Sequence, residues 1–165
     1  MSRIDTRPTG SARWRLPVLV ASGLGSGFSR IAPGTMGSLA ALLPGVLLAG
    51  HTGLLLLAIL IACAAGLWAI PRASGGADHG WIVIDEVAGQ WITLLAVPKL
   101  HHLDWRAAAW VAAAFAMFRL LDITKPGPIG MLDRRHDQYG VMGDDVAAGL
   151  LGAVVLALAR LLLPG

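Results

Sequence analysis

The sequence predicts an all-α protein: a small polytopic membrane protein of about five helical segments. Three observations predict it. Of the 165 residues, 56% are hydrophobic and only 14% charged, with a mean hydropathy of +0.68; an ordinary soluble domain has about 25% charged residues. A chain of this length makes one domain, and one small core cannot hide so much apolar surface from water. Long apolar runs recur between short turn-rich or polar stretches, and inside hydrocarbon such runs close their own backbone hydrogen bonds only as helices. Six Trp and three Phe against one Tyr supply aromatics for membrane–water interfaces. The single cysteine, Cys63, excludes a disulfide framework and any multi-cysteine metal site.

The first segment is basic. Arg3, Arg7, Arg13, Arg15 and Arg30 are five of the 13 cations in the chain. Such an arm ahead of apolar runs suits the anionic surface of a bilayer. No basic stripe with interleaved aromatics follows, so nucleic acid is not an expected partner. Residues 16–27 contain Pro17, Gly23, Gly25 and Gly27 and make a poor secretory h-region. Residues 1–24 are therefore read as a retained cytoplasmic arm and lead-in, and 25–163 as a single membrane domain.

Between Gly37 and Ile70 there is no charged residue. The stretch exceeds one crossing, which takes about 20 residues, and Gly50-His-Thr-Gly53 divides it. Helices are expected over 39–49 and 54–70, antiparallel, with Pro44 a kink in the first. Residues 71–80 read as a turn-rich loop. Residues 81–97 are apolar except for Asp85, Glu86, Gln90 and Thr93, and Pro98 ends the run. A polar loop over 99–104 carries His101 and His102. An Ala-rich helix is expected over 105–121, a hydrophilic stretch over 122–145, and a last helix over 146–163. The positive-inside rule places the N-terminal arm and 122–145 in the cytoplasm.

The acids fall in unusual places. Asp85, Glu86, Asp122, Asp133, Asp144 and Asp145 lie beside or within apolar segments, where an acid is costly and marks a functional site by default. In this orientation all six reach the cytoplasmic face. Clustered carboxylates need a compensating cation, and oxygen-only ligands favour Mg²⁺, which completes its shell with water and substrate phosphate. The bland alternative is that Asp144 and Asp145 cap the last helix, and Asp85 and Glu86 start theirs. Two short segments echo each other: Asp85-Glu-Val-Ala-Gly89 and Asp144-Asp-Val-Ala-Ala-Gly149 each set an acid pair ahead of a glycine.

Arg119, Asp122 and Lys125 stand at i, i+3 and i+6, on one face of a helix. They read either as a salt-bridged lip or as a metal-holding acid flanked by two phosphate-binding cations. The segment from Gly23 to Ser38 is rich in glycine and hydroxyls and can cradle an anion, most directly through Gly34, Thr35 and Ser38 near a helix start. It is neither a Walker A loop nor a Rossmann turn, and small residues also pack helices closely in lipid. His79, close to the acids, is a candidate proton shuttle; His136 reads as a solvated loop residue.

Four pieces in this order resemble the bacterial phosphatidylglycerophosphatase A family. They are Gly25-Ser-Gly-Phe-Ser-Arg-Ile-Ala-Pro-Gly-Thr-Met-Gly-Ser38; Asp78-His-Gly-Trp-Ile-Val-Ile-Asp-Glu-Val-Ala-Gly89 with Trp91-Ile-Thr93; Phe118-Arg-Leu-Leu-Asp-Ile-Thr-Lys-Pro-Gly-Pro-Ile129 with Asp133-Arg134; and Gly140-Val-Met-Gly-Asp-Asp-Val-Ala-Ala-Gly149. They span residues 25–149. Two departures stand out: Gly127 between the prolines where an aromatic is expected, and His136-Asp-Gln-Tyr139 where a His followed by glycines is expected.

The resemblance implies an all-helical, Mg²⁺-dependent enzyme of the bacterial inner membrane, with its active site on the cytoplasmic face. It would convert phosphatidylglycerophosphate to phosphatidylglycerol and phosphate. The implied functional residues are Asp85, Glu86, Arg119, Asp122, Lys125, Asp133, Asp144 and Asp145, with Gly34, Thr35 and Ser38. Asp85, Glu86, Asp122, Asp144 and Asp145 would hold metal, and Arg119 and Lys125 phosphate. Two other readings stay open. One is a lipid-headgroup transferase, although the Asp-Gly…Ala-Arg…Gly…Asp…Asp arrangement of such enzymes is missing. The other is a small transporter with intramembrane acids as a cation path.

Overall fold

A computed structural model describes residues 7–98 and 104–162. Residues 1–6, which include Arg3, lie outside it, as do Lys99, His101 and His102 of the polar loop and the last expected helical position, Leu163.

Every regular element among the described residues is helical, with no strand. The helices are α1 (Leu16–Ala21), α2 (Pro33–Ala49), α3 (Thr52–Ser74), α4 (Ile84–Leu94), α5 (Trp105–Thr124), α6 (Pro128–Asp133) and α7 (Gln138–Leu162). Five of these, α2, α3, α4, α5 and α7, have 11 residues or more, which answers the expected number of helical segments. Three of them, α3, α5 and α7, are long and apolar enough to cross a membrane. Their outward faces carry rows of exposed Leu, Ile and Val such as Leu56, Leu57, Leu60 and Ile61 on α3, a surface suited to lipid.

The bundle is organised around α4. This helix packs against α2, α3, α5 and α7, and nine of its 11 residues are buried. The expected run over 81–97 is thus a short central helix. It begins three residues late because the chain first turns, the Ile82 N–H donating to His79 O at 2.8 Å, and Val83 is a non-helical cap whose N–H donates to Ala21 O at 2.9 Å.

Three other boundaries move. Helix α2 starts at Pro33 rather than 39, since proline at a first helical turn loses no intrahelical bond, and Pro44 sits inside it. Helix α3 runs through Pro71 to Ser74 and ends at Gly75, whose φ of 71° accommodates a left-handed cap with its N–H on Pro71 O. The third shift matters most for the site. Helix α7 begins at Gln138, eight residues before the expected start, so much of the hydrophilic stretch is helical. Asp137 caps it, accepting from the Gly140 N–H at 2.8 Å and pairing with Arg135 at 2.9 Å. Asp144 and Asp145 therefore lie in its second turn and are not caps.

Candidate active site

The two echoing segments meet. Helices α4 and α7 cross at Gly89 and Gly149, backbone against backbone: a Cβ on Gly149 would lie 2.5 Å from Gly89 O and 3.0 Å from Gly89 Cα, and a Cβ on Gly89 would lie 2.6 Å from Asp145 O. The Thr93 hydroxyl ties the crossing, sharing its proton between Gly89 O at 3.0 Å and Gly149 O at 3.3 Å. About one turn ahead of each glycine stands an acid pair. Close approach of the two backbones therefore brings Asp85 and Glu86 to Asp144 and Asp145.

These residues line a cavity of about 320 Å³ at one end of the bundle, between the start of α2, the start of α4, the end of α5 and the early turns of α7. Six carboxylates border it (Asp78, Asp85, Glu86, Asp122, Asp144 and Asp145) against two cations, Arg119 and Lys125. The cations divide the acids into two groups. Arg119 is ion-paired with Asp122. Lys125 bridges Asp144 and Asp133. Burial alone would lower the Lys125 ammonium, but its hydrogen bonds to Asp133 and Asp144 outweigh that and hold it above its ordinary range. The α5 face expected for Arg119, Asp122 and Lys125 ends one residue early: Lys125 is the left-handed cap of that helix, with φ 46°, and so turns toward α6 and α7.

Among the described residues, Asp85, Glu86 and Asp145 form no ion pair. One carboxylate oxygen from each lies within 4.8 Å of the other two. Asp85 Oδ1 and Glu86 Oε2 are buried and have no hydrogen-bond partner among the described residues. A buried carboxylate oxygen without a partner is costly, and three like charges gathered this closely add repulsion. The donor set is all oxygen, which fits a hard divalent cation.

Opposite this triad stands the first turn of α2. Its cap residue, Ala32, has a left-handed φ of 44° and supplies no side-chain cap, and Gly34 and Thr35 line the cavity. Such an uncapped turn suits an anion. Gly34 lies directly against the site, because a Cβ there would collide with Glu86 Oε1 and stand 3.3 Å from Arg119 Nη1. Ser38 lies behind, fully buried. Its hydroxyl donates to Gly34 O at 2.9 Å and accepts from Arg119 Nη1 at 3.5 Å, so it positions the guanidinium. The rest of the glycine segment packs: Cβ atoms on Gly27 and Gly37 would run into Trp81 O and the Val83 side chain.

The structure thus gathers Asp85, Glu86, Arg119, Asp122, Lys125, Asp144, Asp145, Gly34 and Thr35 around one cavity. It sets Asp133 at the edge on Lys125 and Ser38 behind Arg119. His79 is not among the lining residues; its ring stacks on Trp81, centroids 6.2 Å apart. Two residues were missed. Asp78 lines the cavity; composition gives an acid in a turn-rich loop no prominence, and its one signal is its place at the start of a family-resembling piece. Gln90 is fully buried in α4 with neither amide atom partnered; its signal was a polar residue inside an apolar run.

A helical membrane protein whose polar cavity sets a carboxylate cluster against an arginine, a lysine and an uncapped helix start belongs to the class of membrane enzymes that act on phosphate esters. Comparison with known proteins narrows the class. The sequence model of the family described as "PgpA: Phosphatidylglycerophosphatase A" matches residues 19–160. Phosphatidylglycerophosphatase A of Escherichia coli K12 is 43% identical over 150 residues, covering 84% of this chain and 80% of its own. The protein of that name from Haemophilus influenzae is 40% identical over 144 residues, 84% and 85% of the two chains. A Bacteroides thetaiotaomicron protein named "Putative phosphatidylinositol-3-phosphatase" is 40% identical over 156 residues, 88% and 94% of the two. No solved structure matches. The chain belongs to the phosphatidylglycerophosphatase A family, and it is a phosphatase.

Proposed function

We propose that this protein hydrolyses phosphatidylglycerophosphate to phosphatidylglycerol and phosphate, with Mg²⁺, at the cytoplasmic face of the bacterial inner membrane. The observation that carries the reading is the triad of carboxylates without an ion pair among the described residues, beside an arginine and an uncapped helix start. The family model and two of the three relatives above bear this substrate's name. The basic residues near the acid-bearing end, Arg134 and Arg135 among them, favour a cytoplasmic side for the cavity.

Asp85, Glu86 and Asp145 would hold the metal, with Asp122 and Asp144 beside them as the partners of Arg119 and Lys125. Bound there, Mg²⁺ supplies charge neutralisation and Lewis acidity toward a phosphate oxygen. Arg119 grips the non-bridging phosphate oxygens, and Ser38 and Asp122 fix its orientation. The Gly34 and Thr35 amides add fixed dipoles toward the same oxygens. Lys125, held by Asp133 and Asp144, keeps the α5 end against α7 and places positive charge near the leaving oxygen, where negative charge builds up. Water adds to phosphorus and the phosphorus–oxygen bond to glycerol breaks. A cavity carboxylate outside that triad takes one proton from the water and passes it to the glycerol oxygen as that oxygen leaves. His79, outside the cavity, carries no step.

Two results test this. Purified protein incubated with phosphatidylglycerophosphate should release phosphate with Mg²⁺ and none with excess EDTA; release that persists in EDTA would remove the metal from the site. Phosphatidylinositol 3-phosphate belongs in the same assay, because the Bacteroides relative bears that activity in its name; a higher kcat/KM for it would reassign the substrate. Second, Gly34→Ala should lower phosphate release about 10- to 100-fold by displacing Glu86 and Arg119, since misplacement of about 1 Å has effects of that size. Its thermal midpoint should hold, alanine being a better helix former than glycine. Wild-type activity in this variant would place the reacting phosphate away from α2.

A further inference from the structure

A second cavity, about 360 Å³, lies on the outside of the bundle between α2, α4 and the turn after α1. Ala40, Ala41 and Pro44 of α2 form one wall, and Ile84, Val87 and Trp91 of α4 form the other, with Val20, Gly23, Leu24 and Ser26 closing it. Its polar side chains are already satisfied. The Trp91 indole donates to Ala41 O at 2.8 Å, and the Ser26 hydroxyl donates to Gly23 O at 3.0 Å. No polar side chain is left to recognise a polar ligand, so the groove fits a hydrocarbon. Leu43 and Leu47 on α2 are 70% and 71% exposed, so that helix turns a lipid-suited surface outward on the same stretch.

The groove and the acidic cavity are separate, but both are built on α2 and α4. On α4, Ile84 and Val87 face the groove while Asp85 and Glu86, between them in sequence, face the cavity. On α2, Pro33, Gly34 and Thr35 border the cavity and Ala40 begins the groove, about 7.5 Å further along at 1.5 Å per residue. That offset is one a glycerol with its ester linkage bridges.

We propose that this groove seats one acyl chain of the phospholipid whose phosphate occupies the acidic cavity. The inference rests on the reading above that the substrate is a phospholipid. Because a chain in lipid exchanges one apolar environment for another, the groove contributes orientation more than affinity. A seated chain fixes the glycerol, and the glycerol fixes the phosphate between Arg119 and the triad.

Ala40 is exposed and takes no part in the acidic cavity, so it admits larger side chains from the groove side. Ala40→Leu and Ala40→Trp are compared with the parent protein on dihexanoyl and dioleoyl phosphatidylglycerophosphate in the same mixed micelles. The expected result is a loss of kcat/KM on the long-chain substrate that grows from Leu to Trp and reaches about tenfold, from a displaced phosphate, with the short-chain substrate within about twofold. An equal loss on both substrates, or no loss on either, overturns the groove and leaves bulk lipid as its occupant. Failure of the parent protein to release phosphate from either substrate is a different result: it overturns the proposed function, and the acyl-chain seat with it.

Discussion

Asp85→Asn and Asp145→Asn will each lower Mg²⁺-dependent phosphate release by more than about 100-fold, the upper range for residues that only support a metal ligand. Loss of activity alone would not separate a ligand from a structural acid, so stability is the second measurement. In EDTA the parent protein holds three carboxylates close together, Asp85 and Asp145 buried and Glu86 partly so, with Asp85 and Glu86 each having an oxygen that finds no partner among the described residues. Replacing one by a neutral amide relieves repulsion. Each variant should therefore unfold in EDTA at the same temperature as the parent or higher, a trade of stability against activity. Mg²⁺ should raise the midpoint of the parent by mass action and leave the variants nearly unmoved. A variant that keeps its activity, or that Mg²⁺ stabilises as much as it does the parent, would take that residue out of the metal site. Asp122→Asn should behave differently, since it breaks the pair with Arg119: activity falls, while stabilisation by Mg²⁺ persists.

The second large effect is expected at a position with no side chain. Gly149→Val places a Cβ against the Gly89 backbone, and neither main chain can yield as a flexible side chain would. Overpacking of this kind costs about 1–3 kcal/mol, occasionally more, and here it separates two acid pairs as well. The variant should unfold at a lower temperature in detergent and lose phosphate release together with Mg²⁺ stabilisation. Gly53→Ala is the control: nothing lies within 4 Å of a Cβ there, and activity and midpoint should hold or the midpoint rise. A Gly149→Val protein with parental stability and activity would mean that the crossing has slack.

How much of this was legible in the sequence depends on what each residue would cost in the wrong place. Apolar runs revealed the helices, because lipid permits little else. The acids revealed the site, because a carboxylate among Leu and Val is expensive unless used. Helix ends were harder. Gln138 and the acid pair make residues 138–145 look like part of a hydrophilic stretch, yet Val141 and Met142 between them are buried in the core, and Asp144 and Asp145 line the cavity. The division of the acids was also hidden. Asp122 and Asp144 belong to Arg119 and Lys125, and that pairing depends on where the end of α5 meets α7, which spacing along one chain does not state. Lys125 was placed on the helix face by its i+6 position, whereas its left-handed backbone turns it toward Asp133 and Asp144. Asp78, in a loop where acids cost nothing, had no signal in composition. The groove had none either, since alanine, proline and tryptophan read the same in a packed wall and an open one.

The crossing at Gly89 and Gly149 bears on how such a protein can change over generations. The separation of the two acid pairs is set where main chain meets main chain. Among apolar side chains, the buried Phe118 packs on Gly89, while the exposed rows on α3 and α7 lie elsewhere. The exposed rows on α3 and α7 can drift among Leu, Ile, Val and Met, following the lipids of each host, without any leverage on the distance between Asp85 and Asp145. Heredity has to preserve the carboxylates, but it has to preserve two vacancies as well.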